Sequence, residues 1–188
     1  MSKISAGAIT KGMYLLYRDA PHQVSKAEFM NPGKGSAIMR VKLKNVQTGA
    51  VTDFTYKTNE TVEQPNIDKI EMQFLYNDGT NVVFMEPRTY DQAQVPVDLM
   101  EGQTGYLIPD LMCWVISYQN NPIGVLLPPH VTIKVTEAPD AIAGNRVNAP
   151  KKLAMTETGL EVQVPLFVKT GESIIVDTST GEYVSRAN

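Results

Sequence analysis

Short runs rich in β-branched and aromatic residues recur from one end of the chain to the other, and helical periodicity is scarce. MYLLYR, HQVSKAEFM, AIMRVKLKNV, AVTDFTYK, IEMQFLYN, NVVFMEP, MCWVISYQ, PIGVLLPP, VTIKVTEA, LEVQVPLFV, SIIVDTS and EYVSR each read as a strand. Gly, Asn, Asp or Pro bounds most of them. Asn77-Asp78-Gly79-Thr80 predicts a hairpin, and Asn120-Asn121-Pro122 a second turn. TYDQAQVP and MEGQTGYLIPD read as short helices, the second weakened by Gly102 and Gly105. Twelve short strands in 188 residues predict an all-β chain of small barrels rather than one large sandwich. Boundaries fall near VEQPNID (62–68) and LPPHVTI (127–133), giving modules 1–64, 65–128 and 129–188. Each lies near the lower size limit for a stable core, so they are expected to support one another.

The residue inventory excludes several functions. The single cysteine, Cys113, sits in the apolar run LMCWVI and is expected to be a buried thiol. Trp114 in the same run is expected in the core. His22 and His130 have no partners at metal-ligand spacing, so no metal is expected. There is no G-x-S-x-G elbow. GKGS at 33–36 fails the phosphate-loop pattern, because Phe29 stands where glycine is required and Gly35 where Ser or Thr should be. No enzyme activity and no cofactor are expected. MSKISAGAITKGM lacks the apolar centre of a signal peptide, and no apolar run is long enough to span a bilayer. The expectation is a cytoplasmic protein without a membrane partner.

The net charge of −3 hides an asymmetry. Residues 1–64 carry nine Lys/Arg and five Asp/Glu, residues 65–128 two and eight, and residues 129–188 six and seven. A basic first third suits contact with a polyanion. In IMRVKLKNV, Ile38, Arg40, Lys42 and Lys44 lie on one side and Met39, Val41, Leu43 and Asn45 on the other. This basic row adjoins FMNPGKGSA at 29–37. There Asn31 and Pro32 suit the first two positions of a tight turn, and Gly33 is expected to supply φ > 0 at the third. Gly33 and Gly35 leave Lys34 as the long side chain at the tip.

PGKG followed by RVKLKNVQTG resembles the bacterial elongation factor P family. So do FLYNDG with FMEPRTYDQ, the signature-like KKLAMTETGLEVQVPLFVKTG, and the ending VDTSTGEYVSR. The resemblance covers nearly the whole chain. It implies an SH3-like, KOW-type barrel over 1–64 and two OB-fold barrels over 65–128 and 129–188, in an L shape similar to tRNA. It implies a monomeric, non-enzymatic factor that binds the bacterial (70S) ribosome between the peptidyl and exit sites. There such a factor relieves stalling at consecutive prolines.

In that family the residue matching Lys34 reaches toward the CCA end of the peptidyl-tRNA. A positioned cation would hold the acceptor end productively and reduce the entropy of reaction. The family's lysine is often extended by a lysine-modifying enzyme, with β-lysyl or aminopentanol groups. Met30-Asn31 replaces a lysine often found before the turn. Arg40, Lys42 and Lys44 would meet tRNA or ribosomal RNA phosphates. Tyr183 and Arg186 match positions near the small subunit and the anticodon stem. Gly144-Asn145-Arg146-Val147 stands where the family often has Gly-Asp-Thr-Ala, in a loop that approaches the exit-site mRNA codon. Two rival readings remain at this level: a paralogue with different stalling motifs, and a generic β-barrel RNA-binding protein that uses exposed aromatics.

Overall fold

Sixteen strands carry the regular structure of the residues that the computed structural model describes, 2–33, 35–139 and 151–187. In chain order they are β1 (Ser2–Ser5), β2 (Tyr14–Tyr17), β3 (Ala20–Met30), β4 (Ile38–Asn45), β5 (Val51–Lys57), β6 (Thr61–Gln64), β7 (Asp68–Asn77) and β8 (Asn81–Met85). They continue with β9 (Gln92–Pro96), β10 (Met112–Tyr118), β11 (Asn121–Leu126), β12 (His130–Glu137), β13 (Lys151–Thr156), β14 (Glu161–Pro165), β15 (Ser173–Asp177) and β16 (Tyr183–Arg186). All twelve runs read from the sequence form strands, and β1, β6, β9 and β13 are additional. The fold is all-β, and the described residues form four sheets: β2-β3-β4-β5, β1-β6, β11-β10-β7-β8-β9 and β14-β13-β12-β15-β16.

The two expected helices are corrected. Most of TYDQAQVP is the edge strand β9, paired to β8 from Met85↔Gln92 to Asn81↔Pro96, with Val95 its buried anchor. MEGQTGYLIPD forms no α-helix: after Met100 it coils at Gln103–Tyr106, as a 3₁₀ turn. It is separated from another at Val97–Met100 by Glu101 in a left-handed conformation. The second hairpin turn also moves. Gln119 and Asn120 both take positive φ, 52° and 63°, as a two-residue type I′ loop requires. Asn121 therefore opens β11, and Pro122 is tolerated because β11 is an edge strand. Trp114 is half-buried rather than sealed in the core.

The chain divides into two units. The first comprises Met1–Lys69 with Ile116–Gly124. Its main core gathers Ala6, Ile9, Leu15, Val24, Met39, Val41, Leu43, Tyr56 and Val62. The inward residues of β4 are the alternate apolar ones, as its sequence predicts. β3 would break this order, since Val24 points inward and Lys26 two residues later would follow it. A β-bulge between Val24 and Lys26 resolves the conflict. Val24 pairs with buried Leu43 and Lys26 with exposed Lys42, while the extra residue, Ser25, donates its hydroxyl to the Lys42 carbonyl at 3.0 Å. A second small core in this unit joins Val46 to Ile116 and Ile123, with Tyr14, Ile67 and Tyr118 packed around it.

The second unit comprises Ile70–Val115 and Val125–Asn188 and holds two larger clusters. One is built on Phe74, Phe84, Val95, Met100 and Cys113, with the two phenylalanine rings edge to face at 6.0 Å. The other is built on Ile133, Val135, Val162, Val164, Ile174 and Val176. Leu111 and Leu127 pack against both clusters. Tyr106 enters the second cluster, and the Thr158 hydroxyl donates to the Gly105 carbonyl at 2.6 Å. Cys113 is fully buried, and burial pushes its thiol pKa up to about 12.

Candidate nucleic-acid interface

The β3–β4 hairpin closes at Met30↔Ile38, leaving residues 31–37 as its loop. Successive strand residues point to opposite faces. Yet Phe29 is 59% exposed and Met30 42%, so both faces of β3 are open to solvent where the loop begins. Asn31, Pro32, Gly33, Gly35 and Ser36 are exposed as well. The exit of the loop is pinned, because the Ala37 carbonyl accepts from the Thr58 amide at 3.0 Å and the Thr58 hydroxyl at 3.1 Å. The positive φ expected at Gly33 falls instead at Gly35, at 121°. Lys34 itself lies outside the described residues.

The row on β4 is placed as expected, with Arg40 and Lys42 exposed and Lys44 half-buried on the face opposite the core. Its neighbours were not legible in that strand alone. The bulge in β3 brings Lys26 and Glu28 onto the same face, opposite Lys42 and Arg40. From β5, Asp53 lies opposite Lys42 and Thr55 opposite Arg40. Together Lys26, Glu28, Arg40, Lys42, Asp53 and Thr55 line a hollow of about 350 Å³. Lys26 bonds Glu28 at 2.6 Å. The hydrogen bond from Lys26, then its charge, and more weakly the Arg40 charge hold the Glu28 carboxyl below the usual carboxylate range. The surface is thus a cationic field of Lys26, Arg40, Lys42 and Lys44 with two carboxylates set into it. Such a surface favours a polyanion while restricting where its phosphates can sit.

The second unit carries the remaining expected residues. Tyr183 is half-buried and packs against the core beneath β16. Arg186 stays exposed, bound to Glu172 at 3.5 Å, with its guanidinium 5.1 Å from the centre of the Phe167 ring. Sequence reasoning missed Phe167 and Glu172: the pairing of β15 with β16 brings Glu172, just before β15, to Arg186, and Phe167 reaches it from the connection after β14. Gly144, Asn145, Arg146 and Val147 lie outside the described residues. Among the described residues no three His, Cys, Asp or Glu side chains gather where they could hold a metal ion. No described helix is long and apolar enough to cross a membrane. His22 is a core residue, with its Nδ1 2.9 Å from the Ala20 carbonyl and its ring edge-on to Tyr17.

Three family models match the chain in tandem. They describe the KOW-like domain of elongation factor P over residues 5–62, its OB domain over 67–125 and its C-terminal region over 131–186. An elongation factor P from Acidithiobacillus ferrooxidans is 41% identical over 185 residues, covering 98% of this chain and 100% of its own. One from Moorella thermoacetica is 43% identical over 162 residues, covering 85% and 88%. One from Aquifex aeolicus is 37% identical over 185 residues, covering 98% and 96%. Among solved structures, the translation initiation factor 5A from Methanococcus jannaschii is 26% identical with a TM-score of 0.49, over 66% of this chain and 95% of that one. With matched domains running almost from end to end in order, the chain belongs to the elongation factor P family of translation elongation factors.

Proposed function

We propose that this factor binds the bacterial ribosome between the peptidyl and exit sites and speeds peptide-bond formation at consecutive prolines. Its tool is Lys34, presented to the acceptor end of the peptidyl-tRNA by Asn31, Pro32, Gly33 and Gly35. The observation that carries this reading is the exposure of the β3 arm of the hairpin on both faces from Glu28 to Met30, leading into an exposed loop next to a cationic strand face. A loop in that setting can enter a narrow RNA-lined space without dragging the barrel with it.

Proline restricts φ and makes the nascent chain hard to align. A donor held at the tRNA end lowers the barrier by orientation, and each tenfold in rate needs only about 1.4 kcal/mol. The factor supplies no covalent chemistry in this scheme. Arg40, Lys42 and Lys44 meet RNA phosphates, and Arg186, with Tyr183 behind it, meets RNA at the third module. Modules 1–64, 65–128 and 129–188 correspond to these roles. A lysine-modifying enzyme would extend Lys34, and the residues around 144–147 would approach the exit-site codon.

The test is the rate of triproline synthesis on purified ribosomes. Lys34→Ala should bring it down to the level without factor, with the melting temperature unchanged. A variant as active as wild type would remove Lys34 from the mechanism. Intact mass of the factor from its native host reads out any modification of Lys34.

A further inference from the structure

We infer that Phe167, with Arg186 beside it, is a stacking platform for one unpaired RNA base. This rests on the reading that the factor binds the ribosome. Phe167 follows the end of β14 and is 54% exposed, an aromatic ring left in water beside a cation. The Arg186 guanidinium lies 5.1 Å from its ring centre and is tethered by Glu172 at 3.5 Å. The carboxylate and the ring both hold the guanidinium on the Phe167 side, which lowers the side-chain freedom lost on binding. A flat aromatic ring paired with a flat cation is the surface on which unpaired bases stack, largely without regard to sequence. Lys169, two residues beyond Phe167, is exposed and supplies a cation for the adjoining phosphate. A protein partner would need a wider apolar surface than this single ring provides.

The structural alternative is that Phe167 only fastens Arg186, and hence β16, to the barrel. Three variants separate the two. Phe167→Leu keeps apolar bulk but loses the π face, Phe167→Tyr keeps both, and a photoreactive benzoylphenylalanine at 167 reports what lies against it. The experiment uses the full-length factor and ribosomes stalled on a proline run with peptidyl-tRNA in place. The expected result is an affinity loss on the order of tenfold for Phe167→Leu, wild-type affinity for Phe167→Tyr, and a crosslink from position 167 to a single-stranded nucleotide.

Equal affinity for all three proteins, or a crosslink to protein alone, would overturn the inference while leaving the proposed function standing. A drop in melting temperature for Phe167→Leu with unchanged affinity would assign Phe167 a purely structural role, with the same effect. Failure of the wild-type factor to bind, or full activity of Lys34→Ala, would instead strike the underlying reading.

Discussion

Replacing Gly35 with alanine is expected to slow triproline synthesis by roughly 5- to 150-fold and to leave the fold intact. Gly35 has φ 121°, a region that L side chains rarely adopt. A Cβ placed there meets nothing within 4 Å, so the penalty is purely that of the backbone. Holding a non-glycine residue in sparsely populated backbone space costs about 1–3 kcal/mol. The loop is exposed and lies outside every core cluster, so the cheaper response is for it to swing to another conformation. The cost therefore falls on the population of the working loop and not on the barrel, and 1–3 kcal/mol divides that population by about 5 to 150.

Gly33 provides the control. It also has open space around it but no positive φ, so Gly33→Ala should stay close to wild type. The assay is the rate of triproline synthesis at saturating factor, paired with a thermal melt of each protein. A Gly35→Ala factor with full activity, or equal damage from the two substitutions, would refute the claim that Gly35 sets the loop's geometry.

Leu43 is fully buried in the first unit, and Leu43→Ala should cost about 3–4 kcal/mol in chemical denaturation, from lost transfer energy plus the cavity left behind. Thr158→Val strips the Gly105 carbonyl of its 2.6 Å donor and should cost about 1–2 kcal/mol, whereas an unchanged midpoint would mean that water replaces the bond. Cys113 should resist alkylation in the native factor near neutral pH and react only on unfolding. Burial raises its pKa from an ordinary value of 9.0 to about 12, so the folded state holds a proton that the unfolded state releases. Its contribution to stability is complete below pH 9 and is lost as pH rises toward 12, and Cys113→Ala should flatten that part of the stability–pH curve.

What the sequence made legible was whatever repeats with period two beside a core. β4 could be read residue by residue, because Met39, Val41 and Leu43 are all buried and the charges between them are not. β9 could not, because only Val95 among Gln92–Pro96 is fully buried and an edge strand needs no stronger signal. β1 and β6 escaped for a related reason: they are short, mostly polar, and pair only with each other, Ser2 with Gln64 and Ser5 with Thr61. Asn31 and Pro32 marked Gly33 as the residue to take positive φ, whereas Gly35 takes it, two residues before the Ala37 carbonyl that Thr58 holds. The carboxylates in the cationic face come from β3 and β5, one of them through a bulge, and strand pairing alone puts them there.

The small core of Val46, Ile116 and Ile123 bears on how such a chain can evolve. The residues that complete the first unit are encoded far downstream, at the turn between β10 and β11. Recombination that exchanged only the first third of the gene would leave Val46 and Tyr14 facing a foreign surface. A successful exchange must carry both segments or find a matching tip, so inheritance should keep the two together as a linked pair. Grafting this hairpin onto another scaffold meets the same condition, since the transplant needs residues 116–124 as well as the first 69.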